Sequence, residues 1–214
     1  LIDTGYESGF AHFKKQLAKM QIAPQQIQYI FYDDHAGYLN EILSGCSDIQ
    51  MIMSDKALER LYRGQNSFHG GCTTKIALFF CSLMKFVGKG KHLFPPIKQE
   101  YSCRCIQVTK QNRKEMELLL QGKIIDTPGH TADSISLLLN DGSLFCGDAA
   151  MNGLPSLHRI TIWAEDKTAF LKSWETIIAH RPNLIYPGHG KPFGYDDLKT
   201  NLKRAKNMKL LPIY

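Results

Sequence analysis

Residues 123–131 read KIIDTPGHT, a short apolar segment that runs into a Pro-Gly turn carrying His130. β-Branched residues followed directly by turn residues predict a strand over Lys123–Asp126. Two later segments have the same form: FCGD, which ends at Asp148, and YPGHG, which contains His189. Glycine permits the sharp turn, and loops at strand ends are where catalytic side chains collect on a rigid scaffold. These segments therefore indicate chemistry at the ends of three strands.

An earlier segment, YIFYDDHAG, places two acids and a histidine after a predicted strand over Ile27–Phe31. Imidazole and carboxylate groups are natural ligands for zinc, iron or manganese. Each loop alone also has a structural explanation, because Asp33 and Asp34 before His35 are typical of a helix N-terminus and His130 could close a turn. Taken together, each after a strand, the four loops favour one shared metal centre.

Outside these loops, predicted strands alternate with helices, without repeats or low-complexity linkers. Apolar residues recur at helical spacing near residues 10–20, 38–43, 55–63, 166–180 and 198–208. Further strands are predicted at Leu1–Gly5, Ile49–Met53, Ser134–Leu139, Ser143–Cys146 and Leu184–Tyr186, with a hairpin turn at Asn140-Asp141-Gly142. An α/β (α+β) protein with mixed sheets and helices outside them fits this order.

The length fits one domain or two small ones, and we predict a single domain over residues 1–214, with a less regular segment at residues 64–96. This segment carries an apolar helical stripe from Ile76 to Val87. A core-facing helix is the favoured interpretation of the stripe. The alternatives are a helical lid or insert over a pocket and a contact surface in a homodimer. No stretch identifies the substrate-binding residues.

The composition is 43% apolar and 21% charged, which is typical of a globular protein and excludes wholesale disorder. The longest apolar stretch, Ile76–Met84, is too short to span a bilayer, so we expect no membrane partner. The residues that follow Leu1 lack the apolar run of a secretory signal, so we expect none. Its 6 cysteines contain no CxxC pair, which favours reduced thiols and a cytoplasmic protein over a disulfide framework.

With 26 basic and 20 acidic residues, the chain has a formal charge of +6, a modest excess. Basic residues are frequent between Lys199 and Lys209, where Leu198, Leu202 and Ala205 recur at helical spacing. A surface helix with a solvated basic face explains this pattern better than a nucleic-acid site, which normally shows a denser cluster. We therefore expect no nucleic-acid partner.

The segments DDHAG, TPGHT, FCGD and YPGHG, in this order, resemble the motifs of the metallo-β-lactamase superfamily of metal-dependent hydrolases. The resemblance covers essentially the whole chain, and the ordered set of Pro-Gly-His-Thr, Gly-Asp and Pro-Gly-His-Gly is highly specific. It implies a four-layer αββα sandwich with two metals between the sheets. The strand hairpin that usually opens the family domain is expected to be missing.

The resemblance also implies a role for each matched side chain. Asp34, His35 and His189 would hold the second metal, Asp148 would bridge the two metals, and His130 would be the third histidine of the first metal. Asp34, His130 and Asp148 are the candidate catalytic residues, since they would accept or orient protons near the ion. A metal-bound hydroxide in this family attacks a carbonyl or phosphoryl centre.

One family motif is incomplete in this sequence. The signature His-x-His-x-Asp-His ends at Asp34 and His35, but Ile30 and Tyr32 occupy its first two histidine positions. Because the strand runs almost directly into Asp33, a short deletion explains the loss better than substitution. The second site keeps its full set of ligands, which suffices for one ion and a water. Tyr32 is the nearest substitute ligand for the first site.

The function implied by the resemblance is a metal-dependent hydrolase of a small ester, thioester, lactone or similar small-molecule substrate, using a metal-bound hydroxide. Zinc, as one or two ions, is the favoured cofactor, with iron or manganese as alternatives. Two other functions stay open: a degenerate, non-catalytic member with a structural ion or none, and a nuclease-like member. The fold does not fix the substrate, because one scaffold serves many chemistries.

Overall fold

The computed structural model describes residues 1–213. Its strands are β1 (Tyr29–Tyr32), β2 (Gln50–Ser54), β3 (Gly71–Cys72), β4 (Cys105–Val108), β5 (Gly122–Asp126), β6 (Ile135–Leu139), β7 (Ser143–Phe145), β8 (Trp163–Ala164) and β9 (Leu184–Tyr186). Its α-helices are α1 (Phe10–Lys19), α2 (Leu39–Gly45), α3 (Ala57–Arg63), α4 (Lys75–Met84), α5 (Arg113–Leu119), α6 (Lys167–His180) and α7 (Asp196–Asn207). Within the described residues, none of the helices combines the length and apolar character needed to cross a membrane.

The first half of the chain forms a parallel sheet in the order β1-β2-β4. In its register Phe31 pairs with Ile52, and Ile52 pairs with Ile106. Successive side chains on a strand point to opposite faces. Phe31 and Ile52 therefore face one side of the sheet, whereas Ile30 and Met51 face the other. Both faces are buried, as parallel sheets require.

The second half forms a sheet in the order β5-β6-β7-β9, in which only the β7–β9 pair is parallel. The predicted hairpin turn joins β6 to β7, and the Gly142 amide donates to the Leu139 carbonyl at 3.0 Å. Helix α6 follows β8 in the long connection between β7 and β9. The carboxylate of Asp166 accepts hydrogen bonds from the amides of Thr168 and Ala169, so a side-chain cap fixes where α6 begins.

Buried apolar clusters on the two faces of each sheet define four layers. A central cluster joins the facing sides of the two sheets and includes Phe31, Ile52, Val108, Ile124, Ile135 and Leu137. One outer cluster packs the first sheet against helices and includes Ile30, Tyr32, Leu39, Leu43, Met51 and Leu61. The other packs α6 and α7 on the second sheet and includes Ile125, Leu144, Phe170, Trp174, Ile185 and Leu198. The order helices, sheet, sheet, helices confirms the predicted αββα sandwich.

The predicted strand at Leu1–Gly5 is wrong. Ile2 forms one isolated bridge with Phe31, and Gly5 forms another with Ala36. Between them Asp3 has a φ of 47°, which interrupts the extended backbone. The segment nevertheless lies along β1, and this position brings Asp3 to the loop that follows β1.

The apolar stripe in residues 64–96 lies on α4, whose N-terminus is capped by the Thr74 hydroxyl. Its side chains are largely solvent-accessible: Ile76 is 50% exposed, Phe79 73% and Leu83 45%. The interpretation as a core-facing helix is therefore wrong for these residues, because the described chain leaves about half or more of each side chain uncovered. The single domain, and the lid, insert or homodimer contact at residues 64–96, stay predictions.

Candidate metal centre

Loops that follow β1, β5, β7 and β9 meet in one cluster between the two halves of the chain. They carry the five side chains predicted as metal ligands, which are Asp34, His35, His130, Asp148 and His189. The backbone holds two of these loops together, because the Gly188 amide donates to the Gly147 carbonyl at 2.7 Å. The structure thus brings every predicted ligand to one place.

One group of candidate ligands consists of His35, Asp148 and His189, whose ligand atoms all lie within 4.8 Å of one another. Nε2 of His35 lies 3.0 Å from Nε2 of His189. Nε2 of His189 lies 3.5 Å from Oδ2 of Asp148. Ligands at ordinary bond lengths around a tetrahedral zinc are about 3.3 Å apart. The observed distances bracket that value, so the spacing fits one ion.

A second group consists of Asp34, His130 and Asp148, so the structure groups Asp34 with His130, whereas the resemblance implied a place for Asp34 at the second metal with His35 and His189. Nε2 of His130 lies 3.4 Å from Oδ2 of Asp34 and 3.8 Å from Oδ2 of Asp148. Asp148 therefore belongs to both groups and lies where a carboxylate could be shared between two positions.

Polar partners orient two of the histidines. Nδ1 of His130 donates to the Trp163 carbonyl at 2.9 Å, so Nε2 faces the carboxylates. Nδ1 of His35 lies at ion-pair distance from two carboxylates, 3.7 Å from Oδ2 of Asp3 and 3.8 Å from Oδ2 of Asp34, and its Nε2 is directed at His189. Metal-binding histidines usually have such a partner on the other ring nitrogen. Asp3 is not among the predicted residues of the centre. The available signal was an acidic residue directly before the Thr4-Gly5 turn of the opening segment.

The carboxylates make the centre favourable for positive charge. Burial disfavours protonated His130, but Asp34 and Asp148 outweigh this effect and raise its pKa to about 10. Burial likewise opposes protonation of His35, yet Asp3, Asp34 and Asp148 raise its pKa to about 10. Burial alone would raise the pKa of Asp34, but His130, His35 and a nearby arginine hold it well below its usual range.

That arginine is Arg60, which reaches the centre from α3 and is only 5% exposed. Its guanidinium donates to the Asp133 carboxylate at 2.8 and 2.9 Å, and to Oδ1 of Asp34 at 3.2 Å. Sequence reasoning missed this pair. The structure places Arg60 on the buried face of α3, since Ala57 and Leu61 beside it are buried, whereas Arg63 is exposed.

Asp33 has a structural position rather than a ligand position. Its Oδ1 accepts a hydrogen bond from the Ile135 amide at 2.8 Å. Its Oδ2 is buried without a hydrogen-bond partner and faces Gly147, where an added Cβ would overlap it. Burial, reinforced by Asp3 and Asp34, raises the pKa of Asp33 well above its usual range. Asp33 therefore ties β6 to the loops of the centre.

The residues at the two lost histidine positions face away from the centre. Ile30 and Tyr32 are fully buried in the outer cluster that packs against helices. The Tyr32 hydroxyl donates to the backbone carbonyl of Asp34 at 3.4 Å. Tyr32 is therefore not a substitute ligand. Strand β1 runs to Tyr32 and Asp33 follows at once, which agrees with a shortened loop.

The donor set fits a divalent metal ion. Oδ1 of Asp148 is buried and has no hydrogen-bond partner, a rare condition that a bound cation would relieve. A Cβ at position 188 would come within 2.8 Å of this oxygen, so Gly188 leaves the space beside it open. Imidazole nitrogens and a carboxylate are ligands that zinc, iron and manganese accept.

A cavity of about 450 Å³ opens beside His35 and His189. Its walls include the rings of Phe145 and Tyr186, which stack with their centroids 4.9 Å apart. The hydroxyl of Tyr6 lies 3.4 Å from Nε2 of His189 at the edge of this cavity. A second cavity of about 350 Å³ is lined by residues 63 and 65–69 and contains none of the candidate ligands.

No protein-family model matches the sequence. Over 96 residues the chain is 31% identical to the Beta-lactamase-like protein 2 homolog of Drosophila melanogaster. This match covers 43% of the present chain and 31% of that protein, so the chain matches about a third of the length of this curated relative.

Solved structures match along nearly the whole chain. An archaeal metallo-β-lactamase superfamily protein from Sulfolobus tokodaii has a TM-score of 0.58 at 17% identity, over 100% of this chain and 78% of that chain. TTHA1623 in a di-iron-bound form has a TM-score of 0.60 at 16% identity, over 94% of this chain and 86% of that chain. The mono-zinc form of the metallo-β-lactamase FIM-1 from Pseudomonas aeruginosa has a TM-score of 0.60 at 16% identity, over 96% of this chain and 77% of that chain. The chain therefore has the fold of the metallo-β-lactamase superfamily, as its motifs predict.

Proposed function

We propose that this chain is a metal-dependent hydrolase that acts on a small ester, thioester, lactone or related substrate. The observation that carries the proposal is the convergence of His35, Asp148 and His189, whose ligand atoms lie within 4.8 Å of one another. Zinc suits these donors best, and iron or manganese would also be accepted. The di-iron and mono-zinc forms of the structural neighbours support this choice.

A bound divalent cation would lower the pKa of a coordinated water and polarise a substrate oxygen. The protein's own groups would supply the remaining functions. Nε2 of His130 lies 3.4 Å from Asp34 and 3.8 Å from Asp148, where it would orient a water held by the ion. Tyr6, whose pKa is raised by burial and by Asp148 and Asp34, keeps its proton and can donate a hydrogen bond to the substrate.

The cavity supports a small-molecule substrate. Its volume of about 450 Å³ accommodates a small organic group, and the stacked rings of Phe145 and Tyr186 offer an apolar wall that excludes water. The lining of this cavity includes His35 and His189 but not Asp34, His130 or Asp148, each of which is less than a tenth exposed. A substrate held against the rings would thus reach His35 and His189 first.

A non-catalytic protein with a structural ion is the second candidate. Its support is the pair of positions occupied by Ile30 and Tyr32, which face the helical layer and contribute no ligand. Losing ligands weakens metal binding sharply, since even changes in the outer shell cost about tenfold or more.

Metal content and hydrolysis, measured on the same preparation, test the proposal. Elemental mass spectrometry counts metals per chain, and an intact mass verifies the sequence. A panel of p-nitrophenyl ester, thioester and lactone substrates is then hydrolysed by the wild type and by His189→Ala. We expect bound metal and turnover that His189→Ala abolishes. A chain that takes up no supplied metal would refute the proposal, and metal without turnover would favour the second candidate.

A further inference from the structure

We propose that the guanidinium of Arg60 takes the place of a first metal ion, so that the centre holds one divalent cation instead of two. This inference rests on the proposed metal site and specifies its composition. Arg60 belongs to α3 in the outer helical layer, yet its Nη1 lies 3.2 Å from Oδ1 of Asp34.

The guanidinium is built into the centre by bonds on all sides. Asp133 accepts from Nε and Nη2, the Asp33 carbonyl accepts from Nη2 at 2.9 Å, and Asn66 accepts from Nη1 at 2.8 Å. The residue is 5% exposed, and a long charged side chain is buried to this degree only when it is paired. The positive charge is therefore a fixed part of the centre, and arginine does not lose its proton in proteins.

Asp34 links this charge to the ligand cluster. Its Oδ1 accepts from Arg60, and its Oδ2 faces Nε2 of His130 at 3.4 Å. In the family, the first metal is held by three histidines, of which this chain keeps only His130. Asp34 already pairs with Arg60, so it would be less available to a divalent cation placed beside His130. The guanidinium on the other side of Asp34 would also repel that cation.

The other side of the cluster has no such fixed charge. Oδ1 of Asp148 is buried and unpartnered, and the Nε2 atoms of His35 and His189 face each other at 3.0 Å. The described residues place no arginine or lysine in ion-pair contact with Asp148. One cation is therefore accepted at His35, Asp148 and His189, and Arg60 balances the carboxylates that a first metal would otherwise neutralise.

Zinc stoichiometry and melting temperature test this inference without reference to activity. Metal-free wild type, R60K, R60A and R113A are mixed with Zn²⁺ alone, bound zinc is counted by native mass spectrometry, and Tm is measured with and without zinc. R113A is the matched control, because Arg113 pairs with Asp126 at 2.7 Å outside the centre. We expect one zinc on the wild type, R60K and R113A. We expect two on R60A, with a larger zinc-induced rise in Tm, because Asp34 and Asp133 have lost their counter-ion.

Two zinc ions on the wild type, or no additional zinc on R60A at saturation, would overturn the inference. If metal-free R60A fails to fold, it is refolded in the presence of zinc, and we again expect two zinc ions per chain. If the wild type binds no zinc while R60A binds one, the hydrolase proposal and the count of one cation both fail, and only the exclusion of an ion by Arg60 stands.

Discussion

The Nε2 atoms of His35 and His189 lie 3.0 Å apart, although 154 residues separate them in the sequence. His35 follows β1 of the first sheet, and His189 follows β9 of the second. Their rings pack edge to face, with centroids 4.8 Å apart. A cation that binds both histidines would therefore join the two halves of the sandwich.

Replacing His189 with alanine should remove the metal and leave the fold intact. The side chain is 27% exposed, so its loss should change the free energy of unfolding of the metal-free protein by about 0.5 kcal/mol or less. Metal content and thermal unfolding check this expectation against His12→Ala, which alters an exposed histidine on α1. Full metal content in His189→Ala would contradict the ligand assignment.

The metal-free protein should become less stable as the pH rises. The pKa of His35 and that of His130 are raised from 6.5 to about 10 in the folded chain, so protonation of both histidines stabilises the fold. This stabilisation is complete below pH 6.5 and is lost as the pH rises through 10. Urea denaturation in EDTA across this range measures the effect. If the free energy of unfolding stays constant or rises with pH, protonation of the two histidines does not stabilise the fold.

Zinc affinity should increase with pH over the same range. Zinc binds the neutral imidazole, so the ion must displace the proton that the carboxylates hold on His35. Isothermal titration calorimetry in buffers of different ionisation enthalpy measures the protons released. Binding without proton release at neutral pH would mean that His35 is already neutral or does not bind the ion.

Replacing Gly147 with alanine should destabilise the protein by about 3 kcal/mol or more. Gly147 has a φ of 47°, and a Cβ there would overlap Oδ2 of Asp33. Gly194 is the matched control, because a Cβ at that position meets nothing within 4 Å. The two variants are compared by urea denaturation. Equal stabilities would mean that the Gly147 loop rearranges at little cost.

Replacing Trp174 with phenylalanine should cost about 1–3 kcal/mol and weaken metal binding. The Trp174 indole donates to the Ala149 carbonyl at 2.8 Å in a fully buried site, and phenylalanine leaves this carbonyl unpaired. Because Ala149 directly follows Asp148, the ligand should become less well positioned. Thermal unfolding and zinc titration measure the two effects. Lower stability with unchanged zinc affinity would limit Trp174 to a packing role.

The ligand-bearing loops could be predicted because each is a local motif. A strand, a Gly turn and a histidine or aspartate are adjacent in TPGHT, FCGD and YPGHG, and the family order supplied the arrangement of the layers. The structure brings these side chains together, and their roles as ligands remain our proposal.

Arg60 could not be predicted, because an arginine in an amphipathic helix is normally solvated. Its burial depends on Asp133, which lies 73 residues later in the sequence. The prediction for the stripe on α4 is wrong for a related reason. Periodicity identifies the apolar face of a helix but not what covers it, and Phe79 is exposed.

The division of the two large sheets between the halves of the chain has a consequence for degradation of the protein in the cell. Strands β1, β2 and β4 come from the first half, and β5, β6, β7 and β9 from the second. An ion bound by His35 on one side and by His189 on the other must leave before the halves can part. Ligands that bind only the folded state reduce the unfolded fraction that proteases degrade. Metal supply would then set how long each molecule survives.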